Sequence, residues 1–312
     1  MKMLRYLGRE SRTSATLTLR LPLFLRRRRR VRNSITIYLI VSSIFVRVGA
    51  RMFHHWIRSR FIPIVVKFRD GPSLRYPLTA YLNNSDDFFN SYFDYYFKSF
   101  EDHFGYPLQF QQGDFVIDIG AHIGTFCVPL AHAQPVHVVA VEPSRVNARY
   151  LRANVEKNGL SDRVQVIQKA VSAGQDQAEF MEGDASTRGT LNAAMVRHPG
   201  RPADHYVVEV VSLPEIMDMI PHPNHGTKIR LLKMDCEGAE YEILRAMPPE
   251  RFAEISDMFL EVHARHDLDE TAEDLIGHVR SMGFEIRQQD VGNGNWEVFC
   301  HREIGLTAEG NG

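Results

Sequence analysis

Cysteine is scarce in this 312-residue chain: Cys127, Cys236 and Cys300 are the whole complement, each in apolar surroundings. Their spacing excludes a disulfide framework and a cysteine zinc site, and points to buried thiols in a reducing compartment. Acid is almost missing from one end. Residues 1–69 carry 17 Lys or Arg against the single acid Glu10, whereas the remainder carries 20 against 37. The overall charge of −1 therefore joins a basic arm to an acidic body. No apolar run reaches the roughly 20 residues that a membrane-spanning helix needs. Ile35–Val46 offers twelve, closed by Arg47. The glycine turn at Gly120–Gly124 also lacks the G-x-G that a dinucleotide site requires.

What is present begins at Phe115. The stretch FVIDIGAHIG is a short apolar run broken only by Asp118, then a bend bracketed by Gly120 and Gly124. It predicts a buried strand, a glycine turn and a helix start. A second run, Val136–Val141, is apolar on both faces and ends on Glu142, as buried parallel strands do. In such a β-loop-α-β unit, glycines let the backbone approach a ligand closely, and an acid at the second strand's tip accepts from a ribose diol. The turn has an acid two residues before its first glycine. A carboxylate at Asp118 repels a pyrophosphate and suits a cation, so the expected nucleoside ligand is S-adenosylmethionine, which has a sulfonium and an ammonium and no phosphate.

The basic arm and the segment up to residue 100 differ in character from this unit. Residues 1–34 combine Ser, Thr and Arg, including Arg26–Arg30, with a composition shared by organelle transit peptides and disordered basic arms. For Ile35–Val46 three readings stay open: a short span, a helix lying on a membrane, or a helix covering the folded body. The expectation is a cytoplasmic protein with peripheral membrane contact through residues 26–60. Nucleic acid is not an expected partner, because the arm has no recognition motif and the acidic body opposes a polyanion. A boundary is placed between residues 69 and 70, where Asp70-Gly71-Pro72 predicts a turn. Eight aromatics between Phe88 and Phe100 predict a helix packed on a core, with a stacking wall for substrate as the alternative.

Beyond Glu142 the rhythm of a doubly wound sheet continues. Pro143-Ser144 starts a helix whose apolar residues are Val146, Tyr150, Leu151 and Val155, and Asn158-Gly159 stops it. Val164–Ile167 predicts a third strand closing on Lys169-Ala170-Val171-Ser172. Residues 173–205 are polar and glycine-rich, with a short strand near Ala178–Met181, and are expected to border the substrate pocket. Tyr206–Ser212 predicts a strand, Leu213–Ile220 a helix and Pro221–Gly226 a loop.

A second informative stretch, IRLLKMDCEGAEYEIL, brings Asp235, Glu237 and Glu240 to a strand's carboxyl end. Like charges so close raise one another's pKa and call for a cation. Lys233, the substrate, a metal ion or the cofactor could supply it. The following strand, Met258–Val262, delivers Glu261 and His263 to the same rim, and imidazole is the side chain best suited to act as a base near neutral pH. Asp269–Met282 predicts a helix, and Phe284–Arg287 and Trp296–Cys300 a closing hairpin.

VIDIGAHIG, VAVEPS, RANVEKNGL, QKAVS, LLKMDCEGAEYEIL and FLEVH, in this order and spacing, resemble the FkbM family of S-adenosylmethionine-dependent methyltransferases over roughly residues 85–300. The resemblance implies the α/β class I methyltransferase fold, Rossmann-like and doubly wound, with seven strands of which the last is antiparallel. It implies O-methylation of a small-molecule or carbohydrate acceptor, often a sugar or polyketide-like hydroxyl. Carried over by motif position, Asp118, Gly120, Ala121, His122, Gly124, Glu142 and Ala170 would bind cofactor, and Asp235, Glu237 and His263 would serve catalysis. His122 stands where the family commonly has Asn, and Pro214 where it has Asp, so no carboxylate role passes to position 214. A divalent metal on Asp235, Glu237 and His263 is permitted by the spacing and not required by it. Two other classes stay in view: a nicotinamide-dependent oxidoreductase, and a membrane-associated nucleoside-binding protein with a vestigial site.

Overall fold

A computed structural model describes the strand residues 63–67 and 73–77, and residues 108–302 apart from 175, 183–189, 192–204, 222–228 and 266. The basic arm with its apolar segment, the aromatic run Phe88–Phe100 and most of the Pro221–Gly226 loop lie outside the described residues. The chain divides into two compact units, residues 1–82 and 83–312. In the first, β1 (Pro63–Lys67) and β2 (Ser73–Pro77) pair antiparallel, Val65 opposite Arg75. This small sheet straddles the boundary expected between residues 69 and 70.

The second unit is built on the strand-turn-helix-strand piece that the glycine turn predicts. Strand β3 (Phe115–Ile119) leads through the turn to helix α1 (Cys127–Ala133), and β4 (His137–Val141) returns parallel to β3. Helix α2 (Arg145–Lys157) follows. The Ser144 side chain caps it by accepting from Asn147 N–H, and Gly159 ends it at φ +67°. Tyr150, Leu151 and Val155 are buried as their spacing predicts, but Val146 is exposed, and the buried face is completed by Ala148, Asn147 and Asn154. Position 146 falls in the first turn, beside the polar loop that α2 leaves.

Strand β5 (Val164–Ile167) pairs with β4 and ends there. The expected continuation through Ala170 does not stay in this sheet. Gln168 and Lys169 interrupt the apolar run, and β6 (Ala170–Val171) pairs instead with β8 (His205–Val211), which also carries β7 (Gln177–Met181). The result is a separate three-stranded sheet in the order β6-β8-β7, with its own small core of Ala170, Phe180, Val208 and Val210.

The chain then completes the main sheet. Helix α3 (Leu213–Asp218) is started by a reciprocal capping box between Ser212 and Glu215, which explains position 214: a proline there fits the first helical turn. Next come β9 (Ile229–Met234), α4 (Glu240–Ala246), a 3₁₀ turn (Pro249–Glu254) and β10 (Ile255–Val262). Helix α5 (Ala272–Ser281), capped by Thr271, and the hairpin of β11 (Glu285–Gly292) and β12 (Asn295–His301) end the described chain. The strand order is β11-β12-β10-β9-β3-β4-β5. Strands β9, β3, β4, β5 and β10 run parallel, and β12 alone lies antiparallel to its neighbours β10 and β11. This is the seven-stranded class I methyltransferase sheet that the resemblance implies.

Side chains alternate across the sheet. Ile117 and Ile119 of β3 join Leu232, Met234, Met258 and Leu260 in a core that α3, α4 and α5 close with Ile216, Leu244 and Leu275. Among the described residues no helix is long and apolar enough to cross a membrane.

Candidate functional site

The carboxyl ends of β3, β4, β9 and β10 are where a doubly wound sheet binds its ligands. The turn after β3 holds itself in place with its own amides. Gly120 N–H and Ala121 N–H both donate to the Val141 carbonyl at 3.0 Å, and His122 N–H donates to Glu142 Oε2 at 2.8 Å. Three successive N–H groups are thereby spent inside the chain, a poor arrangement for cradling a pyrophosphate. His122 has φ +52°, a left-handed conformation in which Asn and His are enriched over most side chains, so His can replace Asn there. Burial, then the charge of Lys233, lowers the His122 imidazole to about 3 and keeps it neutral.

Gly120 sits at φ +74°, and a Cβ built on it would lie 1.7 Å from the Asp235 carbonyl oxygen. The close approach that this glycine permits in the structure is to the chain itself, at the Asp235 carbonyl. At Gly124, φ +90°, the space is taken by Val128 and Leu151 side chains of α1 and α2.

Glu142 is buried at the tip of β4. Its Oε1 accepts from Ser144 N–H at 2.9 Å and, more weakly, from the Asn147 amide at 3.4 Å. Burial pushes the carboxyl up to about 7, against the pull of the Ser144, His122 and Asn147 donors. A second carboxylate, Glu182 from the end of β7, accepts from Ser144 Oγ and, at 2.9 Å, from the Tyr206 hydroxyl. Tyr206 in turn accepts from Arg145 N–H at 3.1 Å, with the Arg145 guanidinium 4.3 Å above its ring. Sequence reasoning missed Glu182 and Tyr206. The antiparallel register of β7 with β8 brings them together, and no local spacing announces it.

Between the two strand tips lies a buried ion pair. Lys233 Nζ is 3.3 Å from Asp118 Oδ1, 3.7 Å from Asp235 Oδ2, and donates to Gly120 O at 3.2 Å. Burial opposes the charge of Lys233, yet Asp118, then Asp235 and Glu261, hold it protonated and raise its pKa. Asp118 is fully buried, so the cation beside it in this structure is Lys233. Ala170 is buried in the small core of the second sheet with Phe180, Val208 and Val210.

The acids expected at the end of β9 are brought together with His263. The His263 ring is 3% exposed. Its Nδ1 is 3.0 Å from Oε1 of the fully buried Glu240, and its Nε2 faces Glu261 at 3.6 Å, Glu237 at 3.8 Å and Asp235 at 3.9 Å. Glu240 Oε1 also accepts from Cys236 N–H at 3.0 Å. Burial opposes charge on the imidazole, but Glu240, Glu237 and Asp235 outweigh it and lift His263 well above its ordinary value. Repulsion from Asp235, then burial, pushes the Glu261 carboxyl up to about 8. Glu237 adopts φ +53°, and its carbonyl accepts from the Thr190 hydroxyl at 3.0 Å. One described residue of the segment 173–205 thus reaches the acid turn.

The family model for the methyltransferase FkbM domain matches residues 118–286, more than half of the chain, from Asp118 on β3 to Ile286 on β11. The chain belongs to the FkbM methyltransferase family. Both halves of the site, Asp118 to Glu142 and Asp235 to His263, fall within the matched residues. A curated relative, the 31-O-demethyl-FK506 methyltransferase FkbM of Streptomyces tacrolimicus, is 27% identical over 201 residues, covering 57% of this chain and 75% of that one. Solved structures with a similar fold include TrmK of M. capricolum with S-adenosyl-homocysteine, at 12% identity and a TM-score of 0.36, covering 61% of this chain and 63% of that one. TYW2 of P. horikoshii with MeSAdo is similar at 11% identity and a TM-score of 0.38, covering 76% of this chain and 69% of that one. This FkbM-family chain thus spans just under two thirds of the TrmK chain.

Proposed function

We propose that this FkbM-family methyltransferase binds S-adenosylmethionine against the Gly120–Gly124 turn and Glu142, and methylates a hydroxyl of a sugar, glycoconjugate or polyketide-like acceptor held at the rim of Asp235, Glu237, Glu261 and His263. The observation that carries it is the meeting of the two half-sites at one point, where Gly120 abuts the Asp235 backbone and Lys233 ties both to Asp118.

The residues present fit that cofactor. A carboxylate has about four acceptor positions, and the protein N–H groups on Glu142 leave room for donation from a ribose hydroxyl. The amides of residues 120–122 are already bonded, which disfavours the phosphates of a nicotinamide dinucleotide and with them the oxidoreductase reading. Bound there, the cofactor would supply a methyl on a sulfonium, which becomes a thioether as the new C–O bond forms and the C–S bond breaks. The chain's own residues have two tasks: to align the acceptor oxygen and to receive its proton. Asp235 and Glu237 bring to the rim carboxylate oxygens able to orient a hydroxyl and take its proton, with the Glu261 carboxyl beside them. The name of the S. tacrolimicus relative supports oxygen as the methylated atom.

Calorimetric titration of S-adenosylmethionine into the full chain, beside Glu142→Ala, tests the reading. The parent is expected to bind, and the variant to bind more weakly by about 1–3 kcal/mol as hydrogen bonds to the Glu142 carboxyl disappear. NADH is expected to give no heat. A folded parent that ignores millimolar S-adenosylmethionine overturns the reading, and so does an unchanged affinity in Glu142→Ala.

A further inference from the structure

We infer that Asp235, Glu237 and His263 bind one divalent metal ion, with Glu240 behind the imidazole fixing its direction. One ligand atom from each of the three lies within 4.8 Å of the other two. Donors around a small divalent ion at about 2.1 Å stand at most about 4.2 Å apart. The spans from Nε2 to Asp235 Oδ1, 3.9 Å, and to Glu237 Oε2, 3.8 Å, already meet that limit, and small side-chain rotations close the third.

The second observation is the imidazole itself. His263 is 97% buried and its Nδ1 is taken by Glu240, which leaves Nε2 aimed into three carboxylates. None of their oxygens comes nearer than 3.6 Å, beyond hydrogen-bonding distance. A ring steered by a buried carboxylate on one nitrogen, with the other presented to a set of acids, is the arrangement by which proteins orient a metal-binding histidine. Glu240 is wholly buried, its Oε1 shared between His263 Nδ1 and Cys236 N–H, and its Oε2 makes no hydrogen bond.

Charge points the same way. Asp235, Glu237, Glu240 and Glu261 converge on one imidazole, and the nearby Lys233 is already shared with Asp118. The donor set, two carboxylates and one imidazole without the neighbouring Cys236 thiol, suits an ion of intermediate hardness such as Mn²⁺. The Asp235 and Glu237 side chains are each about a quarter exposed, at 27% and 25%, so coordination positions on the solvent side stay open. Resting on the reading above, those positions are where an acceptor hydroxyl would be held and made more acidic.

The test is Mn²⁺ titration of the chelator-treated full chain, followed by the EPR signal of the free ion and without cofactor. One ion per chain is expected. Asp235→Asn and Glu237→Gln should each weaken binding at least tenfold, and His263→Ala should abolish it. Should His263→Ala fail to fold, Glu237→Gln, on a partly exposed side chain, still decides. Melting curves and S-adenosylmethionine titration of the same variants report whether the rest of the site survives. Absence of stoichiometric binding at millimolar Mn²⁺, or equal binding by the parent, Asp235→Asn and Glu237→Gln, overturns the inference. If Mn²⁺ binds once and is lost in the variants while S-adenosylmethionine never binds, the metal site stands and the cofactor reading falls.

Discussion

Gly120→Ala separates the packing role of the glycine turn from any role toward a ligand, and Gly159→Ala is its control. Both glycines have positive φ, +74° and +67°, so each alanine faces the same left-handed backbone penalty of about 1–2 kcal/mol. Part of it is offset by the stiffer unfolded chain, about 0.4–1 kcal/mol. They differ in surroundings. A Cβ at 159 meets nothing within 4 Å, whereas at 120 it falls 1.7 Å from the Asp235 oxygen and 2.8 Å from its carbonyl carbon. Relief requires the end of β9 to move from β3 by more than an ångström. That motion strains the Asp235 N–H bond to Ile119 O, 3.1 Å long, and the pairing of Ile119 with Met234. Overpacking of this kind costs about 1–3 kcal/mol, and the threatened hydrogen bond about 1 more. Gly120→Ala should therefore lose about 3–5 kcal/mol and Gly159→Ala about 1 or less. Urea unfolding reads both as shifts in midpoint at unchanged slope. Equal losses, within about 0.5 kcal/mol, would refute the argument that the Asp235 carbonyl dictates glycine at 120.

Two further outcomes arise from the buried charges. Glu142 has a folded-state pKa of about 7 against 4.5 in the unfolded chain, so between those values the folded protein keeps a proton that the unfolded chain has lost. Its contribution falls as pH rises through that window, by about 2–3 kcal/mol, and urea midpoints at pH 5 and pH 8 should drop less in Glu142→Gln than in the parent. An identical drop in both would contradict the placement of Glu142. Lys233→Met strips Asp118 of its counter-ion inside the sheet and should destabilise by about 3–5 kcal/mol. Adding Asp118→Asn should return a good part of that loss, and additive losses in the double variant would show that the two residues are not coupled.

Local pattern made most of the main sheet legible. The apolar runs at Phe115, Val136, Val164, Leu231 and Met258 each became a strand, because a strand buried on both faces needs little beyond uniform apolarity. The departure of β6 into a second sheet was hidden, since Gln168-Lys169 reads equally well as the end of one strand or a kink within it. The pairing of Glu182 with Tyr206 and the triad that Arg230 and His301 form around the buried Asp257 were hidden for another reason. They join residues far apart in sequence, and only the register of the strands brings them into reach. At the site, short spacing placed Asp235, Glu237 and Glu240 at one rim but could not divide their roles. The backbone divides them: Glu237, at φ +53°, turns a partly exposed carboxylate to the rim, while Glu240 opens α4 fully buried and sits behind His263. Asp235 is the residue through which the two halves communicate. Its carbonyl occupies the space that Gly120 leaves, its N–H bonds β3, and its carboxylate faces both Lys233 and His263. A shift of the Gly120 turn by an ångström therefore moves the acid rim with it, and under the proposed function methyl donor and acceptor would be held in register by one stretch of backbone rather than by two independently placed loops.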